Sequence, residues 1–276
     1  MSKRATRRPA RLEPAPAQRV HHEPRQPSPR SRIVKARLAG RHDRLGRTEV
    51  LSVMRHVVGG DPPALLGLDR FAGVTLAELR AAATEVWGWD TNEPTVSIDP
   101  DKLLAGLLVA RERVLDVARR GGRILVATSR PASLLPLHQA LGRLCRSVGG
   151  HLLDSGEAGP IHAAGRASVR LWWVGGVAVL TDGDTLLADP GIEAIDELLF
   201  TVPYPDLVVG DRGFAGGALR AGIEAVAIAD LDAIALGLAA CRGLPVTLVP
   251  MHERRPASAY TALEPMLNSS NSPEAS

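Results

Sequence analysis

Three short apolar runs in the C-terminal third of the chain each stop at a cluster of polar residues. Asp206–Gly210 is followed by Asp211-Arg212-Gly213, Ala225–Ala229 by Asp230-Leu231-Asp232, and Val246–Val249 by Pro250-Met251-His252-Glu253-Arg254. Runs of this length, separated by Gly- and Ala-rich helical stretches, read as buried parallel strands in β-α-β units. Ile124–Ala127 has the same form. It breaks at Thr128-Ser129-Arg130-Pro131 and leads into a helical stretch from Leu134 to Val148, closed by Gly149-Gly150. His151–Asp154 reads as a further strand. In an open sheet of this kind ligands lie beyond the carboxyl ends of the strands, so the polar residues at these breaks mark the expected site.

Elsewhere the period changes. Thr48–Val58 is helical and ends at Gly59-Gly60; Thr75 and Glu78 have capping-box spacing for a helix to about Trp87. Asp99 and Pro100 fit the cap and first turn of a helix whose apolar face runs through Leu103, Leu107, Val114 and Ala118 to Gly121-Gly122. Ser155–Ala167 reads as a loop. In Val169–Ala188, Gly175-Gly176 and Asp182-Gly183 are turn signals between Val/Leu/Trp runs, which predicts an inserted antiparallel hairpin. A helix over Ile192–Phe200 then returns the chain to the sheet. The expected fold is α/β: a mostly parallel, Rossmann-like sheet flanked by helices. Trp87, Trp89, Trp172 and Trp173 are expected in the core.

Charge divides the chain unevenly. Residues 1–48 carry 14 Lys or Arg against 3 acids and six prolines before Ser31, leaving 19 basic and 27 acidic side chains in the remainder. The pI of 9.2 therefore belongs to the N-terminal arm, and the body is acidic. An arm with so little apolar periodicity predicts disorder over 1–48, with one domain over 49–267 and a disordered Asn/Ser-rich tail over 268–276. Such an arm could meet nucleic acid electrostatically, although a solubilising role explains it as well. Cys145 and Cys241 lack Cys-x-x-Cys spacing and read as reduced thiols. No apolar run spans a membrane and no apolar stretch follows Arg7-Arg8, so a cytoplasmic protein is expected.

Four segments in this order, Arg123–Leu135, Pro205–Gly216, Ala227–Asp232 and Val249–Pro256 with Tyr260 following, resemble a family of actinobacterial phosphatases. The resemblance covers about residues 51–265 and implies hydrolysis of a small phosphorylated molecule. At two positions where the family tends to carry histidine this chain has Arg130 and Arg212.

Several phosphatase designs do not fit. There is no Gly-x-x-x-x-Gly-Lys-Ser/Thr loop, and neither cysteine has an arginine six positions on. Asp182-Gly183-Asp184-Thr185 misses the Asp-x-Asp-x-Thr spacing by one residue, and an Asp-Gly turn explains it. A metal-assisted site is the remaining enzymatic design, with Asp211, Asp230 and Asp232 as oxygen ligands for a divalent cation; the plain alternative is that strand-end aspartates cap helices. Thr128, Ser129, Arg130 and Arg212 are the expected phosphate-binding residues. Asp211, Asp230 and His252 are the expected catalytic groups, His252 as a base near neutrality. The expected function is phosphate monoester hydrolysis. Its alternative is a binding protein for a phosphorylated metabolite or nucleotide, since arginine binds phosphate but is no base at neutral pH.

Overall fold

The computed structural model describes residues 27–154, 160–161, 169–188 and 192–268. Five parallel strands form the central sheet: β1 (Arg123–Val126), β2 (His151–Leu153), β3 (Leu207–Asp211), β4 (Ala225–Ala229) and β5 (Val246–Pro250). Their spatial order is 2-1-3-4-5, so all the runs that predicted the sheet are neighbours in it. β3 and β4 are buried at every position, as strands covered on both faces must be. Strand order reverses between β1 and β3, and in sheets of this kind ligands bind beyond the carboxyl edge at such a switch point.

Helices cover both faces: α1 (Arg47–Gly59), α2 (Pro100–Arg119), α3 (Pro131–Ser147), α4 (Ile192–Thr201), α5 (Arg212–Arg220) and α6 (Ile234–Cys241). The Asp99 side chain accepts from the Asp101 N–H at 2.8 Å, the cap expected from sequence. α5 approaches Leu66 so closely that a Cβ on Gly216 would lie 1.9 Å from the Leu66 carbonyl oxygen. Trp87 and Trp89 are fully buried, and the Trp87 indole donates to the Ala229 carbonyl at 3.0 Å, tying the N-terminal layer to the end of β4. Trp172 departs from the expected core, being 55% exposed.

The antiparallel insertion is a four-stranded sheet in the order Pro160–Ile161, Val169–Val174, Val177–Thr181, Leu186–Leu187. It is larger than the expected hairpin because a two-residue strand arises inside the stretch read as a loop. Its Ala178 carbonyl accepts from the Thr128 N–H at 3.0 Å, so the insertion buttresses the end of β1.

The N-terminal boundary is corrected. Residues 27–48 pack on the body: a helix spans Pro29–Lys35, Ile33 and Leu38 are fully buried, and Gly40–Arg41 pairs antiparallel with Ser97–Ile98. The cationic side chains stay at the surface while these apolar residues anchor the segment, which bulk composition hides. Residues 1–26 and 269–276, the remaining parts of the arm and tail, lie outside the described residues. Among the described residues no helix is long and apolar enough to cross a membrane.

Candidate active site

The ends of β1, β3, β4 and β5 bring the singled-out residues into one hydrogen-bonded network. Asp211, closing β3, receives the Thr128 hydroxyl on Oδ2 at 2.5 Å and the Ser129 N–H on Oδ1 at 2.8 Å. That grip shapes the turn after β1, and the Arg130 N–H closes it on Thr128 Oγ1 at 3.1 Å. The Arg130 side chain then crosses to β5, donating through Nε to Glu253 Oε2 at 2.6 Å. Glu253 Oε1 accepts from the Asp230 N–H at 3.0 Å, and Asp230 Oδ2 accepts from the Glu253 N–H at 3.2 Å. Arg130, Asp211 and Asp230 are thus joined through the β1 turn and Glu253, although they come from three different strand ends.

Asp232 lies at the outer side of this network, its side chain 11% exposed. Its Oδ2 is 3.1 Å from Arg212 Nη1, 3.1 Å from Arg254 Nη2 and 3.8 Å from Arg130 Nη2. Arg212 Nη1 also stands 3.8 Å from Glu253 Oε2. Arg212 is the first residue of α5 and has φ +45°, an uncommon conformation for a residue with a side chain and one that costs about 1–3 kcal/mol. The carboxylates of Asp232, Glu253 and Asp211 hold this guanidinium charged against the opposing effect of burial.

Polar atoms without partners cluster here. Among the described residues, Ser129 Oγ, Arg212 Nη1 and Asp232 Oδ1 are buried and make no hydrogen bond of good geometry. Buried polar groups are ordinarily satisfied, so three orphans among guanidiniums outline the place of a polar ligand. Two of them, the serine hydroxyl and the guanidinium, are donors that phosphoryl oxygens would satisfy.

The histidines are arranged less openly. His42 accepts the Arg44 and Leu45 N–H groups on Nδ1, at 3.1 and 2.8 Å, so its Nε2 carries the proton directed at both Asp230 oxygens at 3.1 Å. Burial would raise the Asp230 pKa, but the hydrogen bond from His42 leads the effects that hold it below the ordinary carboxylate range. His252 donates from Nδ1 to the Arg37 carbonyl at 2.8 Å, which leaves its buried Nε2 unpartnered, its ring 4.4 Å from that of His42. Burial depresses its pKa, against the pull of Asp230. His138 of α3 donates from Nδ1 to the Leu134 carbonyl, and its Nε2 sits unpartnered 3.8 Å from Asp211 Oδ2. Burial holds that imidazole low as well. Glu253 moves the other way: burial first, then the charge of Asp232, raise its pKa to about 7 in spite of Arg212 and Arg130.

The expected metal set is not assembled. Both Asp211 oxygens are engaged by the β1 turn, Asp230 is taken by His42, the Leu231 N–H and the Glu253 N–H, and Asp232 faces arginines. Among the described residues no group of three or more His, Cys, Asp or Glu is disposed to hold a metal ion. A divalent cation needs several free oxygen ligands converging on one point; here guanidiniums occupy that place. The rejected Asp182 motif is a turn: Asp182 Oδ1 accepts the Asp184 and Thr185 N–H groups at 3.1 and 2.8 Å.

Sequence reasoning missed three contributors. His42 fell within the arm read as disordered, His138 is a polar residue on an otherwise apolar helix face, and Arg254 was given no role. His138 carried one available signal, an isolated histidine amid apolar neighbours such as Leu137 and Leu141, whereas His42, between Arg41 and Asp43, carried none.

Comparison with known proteins gives the family. A protein named as a phosphatase, from Streptomyces coelicolor, is 29% identical over 237 residues, which cover 80% of this chain and 86% of the relative. A family model described as Phosphatase matches residues 25–270, nearly the whole of the described chain and including the segment that carries His42. The chain belongs to this phosphatase family.

Proposed function

We propose that the crevice between β1, β3, β4 and β5 binds and hydrolyses a small phosphate monoester, with arginines instead of a metal cluster supplying the positive charge. The observation that supports this is the buried, unpartnered Ser129 hydroxyl at a turn where the guanidiniums of Arg130 and Arg212 are held by Glu253 and Asp232. Phosphoryl oxygens placed there would accept from both guanidiniums and from the Ser129 hydroxyl, and charge-assisted hydrogen bonds of this kind are the strong ones. Arginine remains charged throughout turnover, so it stabilises the charge that develops on the transferring group without moving a proton.

Proton transfer falls to Glu253. With a pKa near 7 it is close to half protonated at neutrality, which suits a group that must give a proton and take one back. His252, with a free Nε2, is the reserve acceptor behind it. Asp211 and Asp230, expected as direct participants, are better placed to position others: Asp211 shapes the Thr128–Arg130 turn, and Asp230 holds Glu253 through paired backbone contacts.

The test is phosphate release from a panel of alkyl and aryl monoesters by the full chain, beside an Arg130→Lys variant. Turnover by the wild-type protein that drops on this substitution is expected. Tight binding of the esters without turnover would instead make the protein a receptor for a phosphorylated molecule.

A further inference from the structure

Phosphoryl oxygens can satisfy Ser129 and Arg212, which are donors, but they cannot satisfy Asp232 Oδ1, which is an acceptor. A lone pair buried beside a bound phosphate dianion has two uses: it can hold a proton, or it can attack phosphorus. The placement of the other oxygen favours attack. Oδ2 is 3.1 Å from both Arg212 Nη1 and Arg254 Nη2, which fixes the carboxyl rotamer and keeps Oδ1 turned away from those two groups. The guanidiniums that flank the carboxyl also offset its repulsion of the incoming phosphate. Its side chain is 11% exposed against 0% for Glu253 and Asp211 and 4% for Asp230, so among the carboxylates of this network it lies nearest solvent, with Oδ1 itself buried on the inner side. Asp211, Asp230 and Glu253, by contrast, each have both oxygens engaged by donors, so Glu253 acts only once a bound phosphoryl group draws Arg130 Nε off its Oε2.

Resting on the proposed phosphatase reading, we infer that Asp232 is the covalent nucleophile and that the reaction passes through an aspartyl phosphate. In the first half, Asp232 Oδ1 forms a bond to phosphorus while the ester P–O bond breaks. The departing alcohol oxygen keeps that electron pair and takes a proton from protonated Glu253. In the second half, a water molecule gives a proton to the Glu253 carboxylate and its oxygen attacks phosphorus. The P–Oδ1 bond breaks, phosphate leaves, and the Asp232 carboxylate and the Glu253 acid are restored. The sum is monoester plus water giving alcohol plus phosphate.

Two in-line displacements invert phosphorus twice, so the decisive experiment is stereochemical. Full-length protein is given a phenyl phosphorothioate made chiral with oxygen isotopes, in isotopically labelled water, and the configuration of the thiophosphate is read. Net retention is expected; net inversion with turnover would overturn the nucleophile while leaving the phosphatase reading intact. Absence of turnover on every ester by the wild-type chain would instead sink the reading beneath it. In parallel, protein quenched during turnover of phenyl phosphate is treated with hydroxylamine and mapped by mass spectrometry. A hydroxamate at Asp232, absent in Asp232→Asn, is expected. Retention accompanied by a hydroxylamine-stable phosphate on Ser129 would assign the role to that serine and overturn the proposal. Because both readouts use the wild-type protein, they decide the matter even where Asp232→Asn fails to fold.

Discussion

Two aspartate-rich turns invite the same reading from sequence and differ in one physical respect. In Asp182–Thr185 the carboxylate accepts two backbone N–H groups and the Thr185 hydroxyl in an exposed turn; these bonds hold its pKa low, and nothing in the turn calls for a ligand. In Asp230–Asp232 one carboxylate is saturated by His42 and its neighbours, and the other keeps a buried oxygen with no donor among three arginines. The difference teaches that carboxylate density does not mark a site. A cluster of incompletely satisfied buried polar atoms among charged groups is the better pointer, since single orphans such as the Trp89 and Trp173 indole nitrogens occur away from it.

The largest expected effect follows directly. Asp232→Asn is expected to lower kcat by at least about 10³-fold, as loss of a nucleophile does, while Asp182→Asn stays within about twofold because it is an exposed turn residue. Similar losses in both would erase the contrast. Arg212→Lys comes next: a lysine keeps the charge but not the planar fork, and kcat/KM is expected to fall by about 10²-fold. A rise in KM alone, with kcat unchanged, would place Arg212 in ground-state binding only.

The pH dependence sharpens the comparison further. Glu253 has a folded pKa raised to about 7 from the ordinary 4.5. Its contribution to stability is therefore present below about 4.5 and lost as pH rises through about 7. Wild type should lose stability over that window relative to Glu253→Gln, measured by denaturant midpoints at several pH values. The kcat/KM profile should fall above about 7 as the acid form is depleted, and a profile flat across this range would remove Glu253 from proton transfer. Asp230, held low, runs the other way: its contribution is present above the ordinary carboxylate pKa and lost as pH falls through its lowered value. His42→Ala, which leaves that buried carboxylate short of a donor, should cost about 1–3 kcal/mol in denaturant unfolding. No change would mean the N-terminal segment is not coupled to the site.

How much of this the sequence carried depends on where the signal lives. The four main strands were legible because buried parallel strands must be apolar throughout, and the site followed because every carboxyl end in such a sheet opens on one edge. Arg130, Asp211, Asp230 and His252 therefore lie together at one edge of the sheet despite their separation. Roles were less legible, because they depend on hydrogen-bond partners that spacing does not encode: Asp211 and Asp230 are filled by donors and Asp232 is not. His42 was hidden by composition, since Ile33 and Leu38 are only two anchors within a cationic stretch. The smallest expected effect tests a residue hidden for a similar reason. Arg254→Ala, at the half-exposed rim, should raise KM by only a few fold, in keeping with solvent-screened pairs.

The central claim is that Arg130 and Arg212 form the phosphoryl site. Its most direct test is the binding of inorganic phosphate to the full-length wild type and to Arg130→Lys/Arg212→Lys, followed by calorimetry and by competition against phenyl phosphate turnover. The account expects one saturable site in the wild type and an affinity loss of about 10²-fold in the double variant, as for loss of two bidentate charge-assisted contacts. Unchanged phosphate affinity in a folded double variant would contradict it.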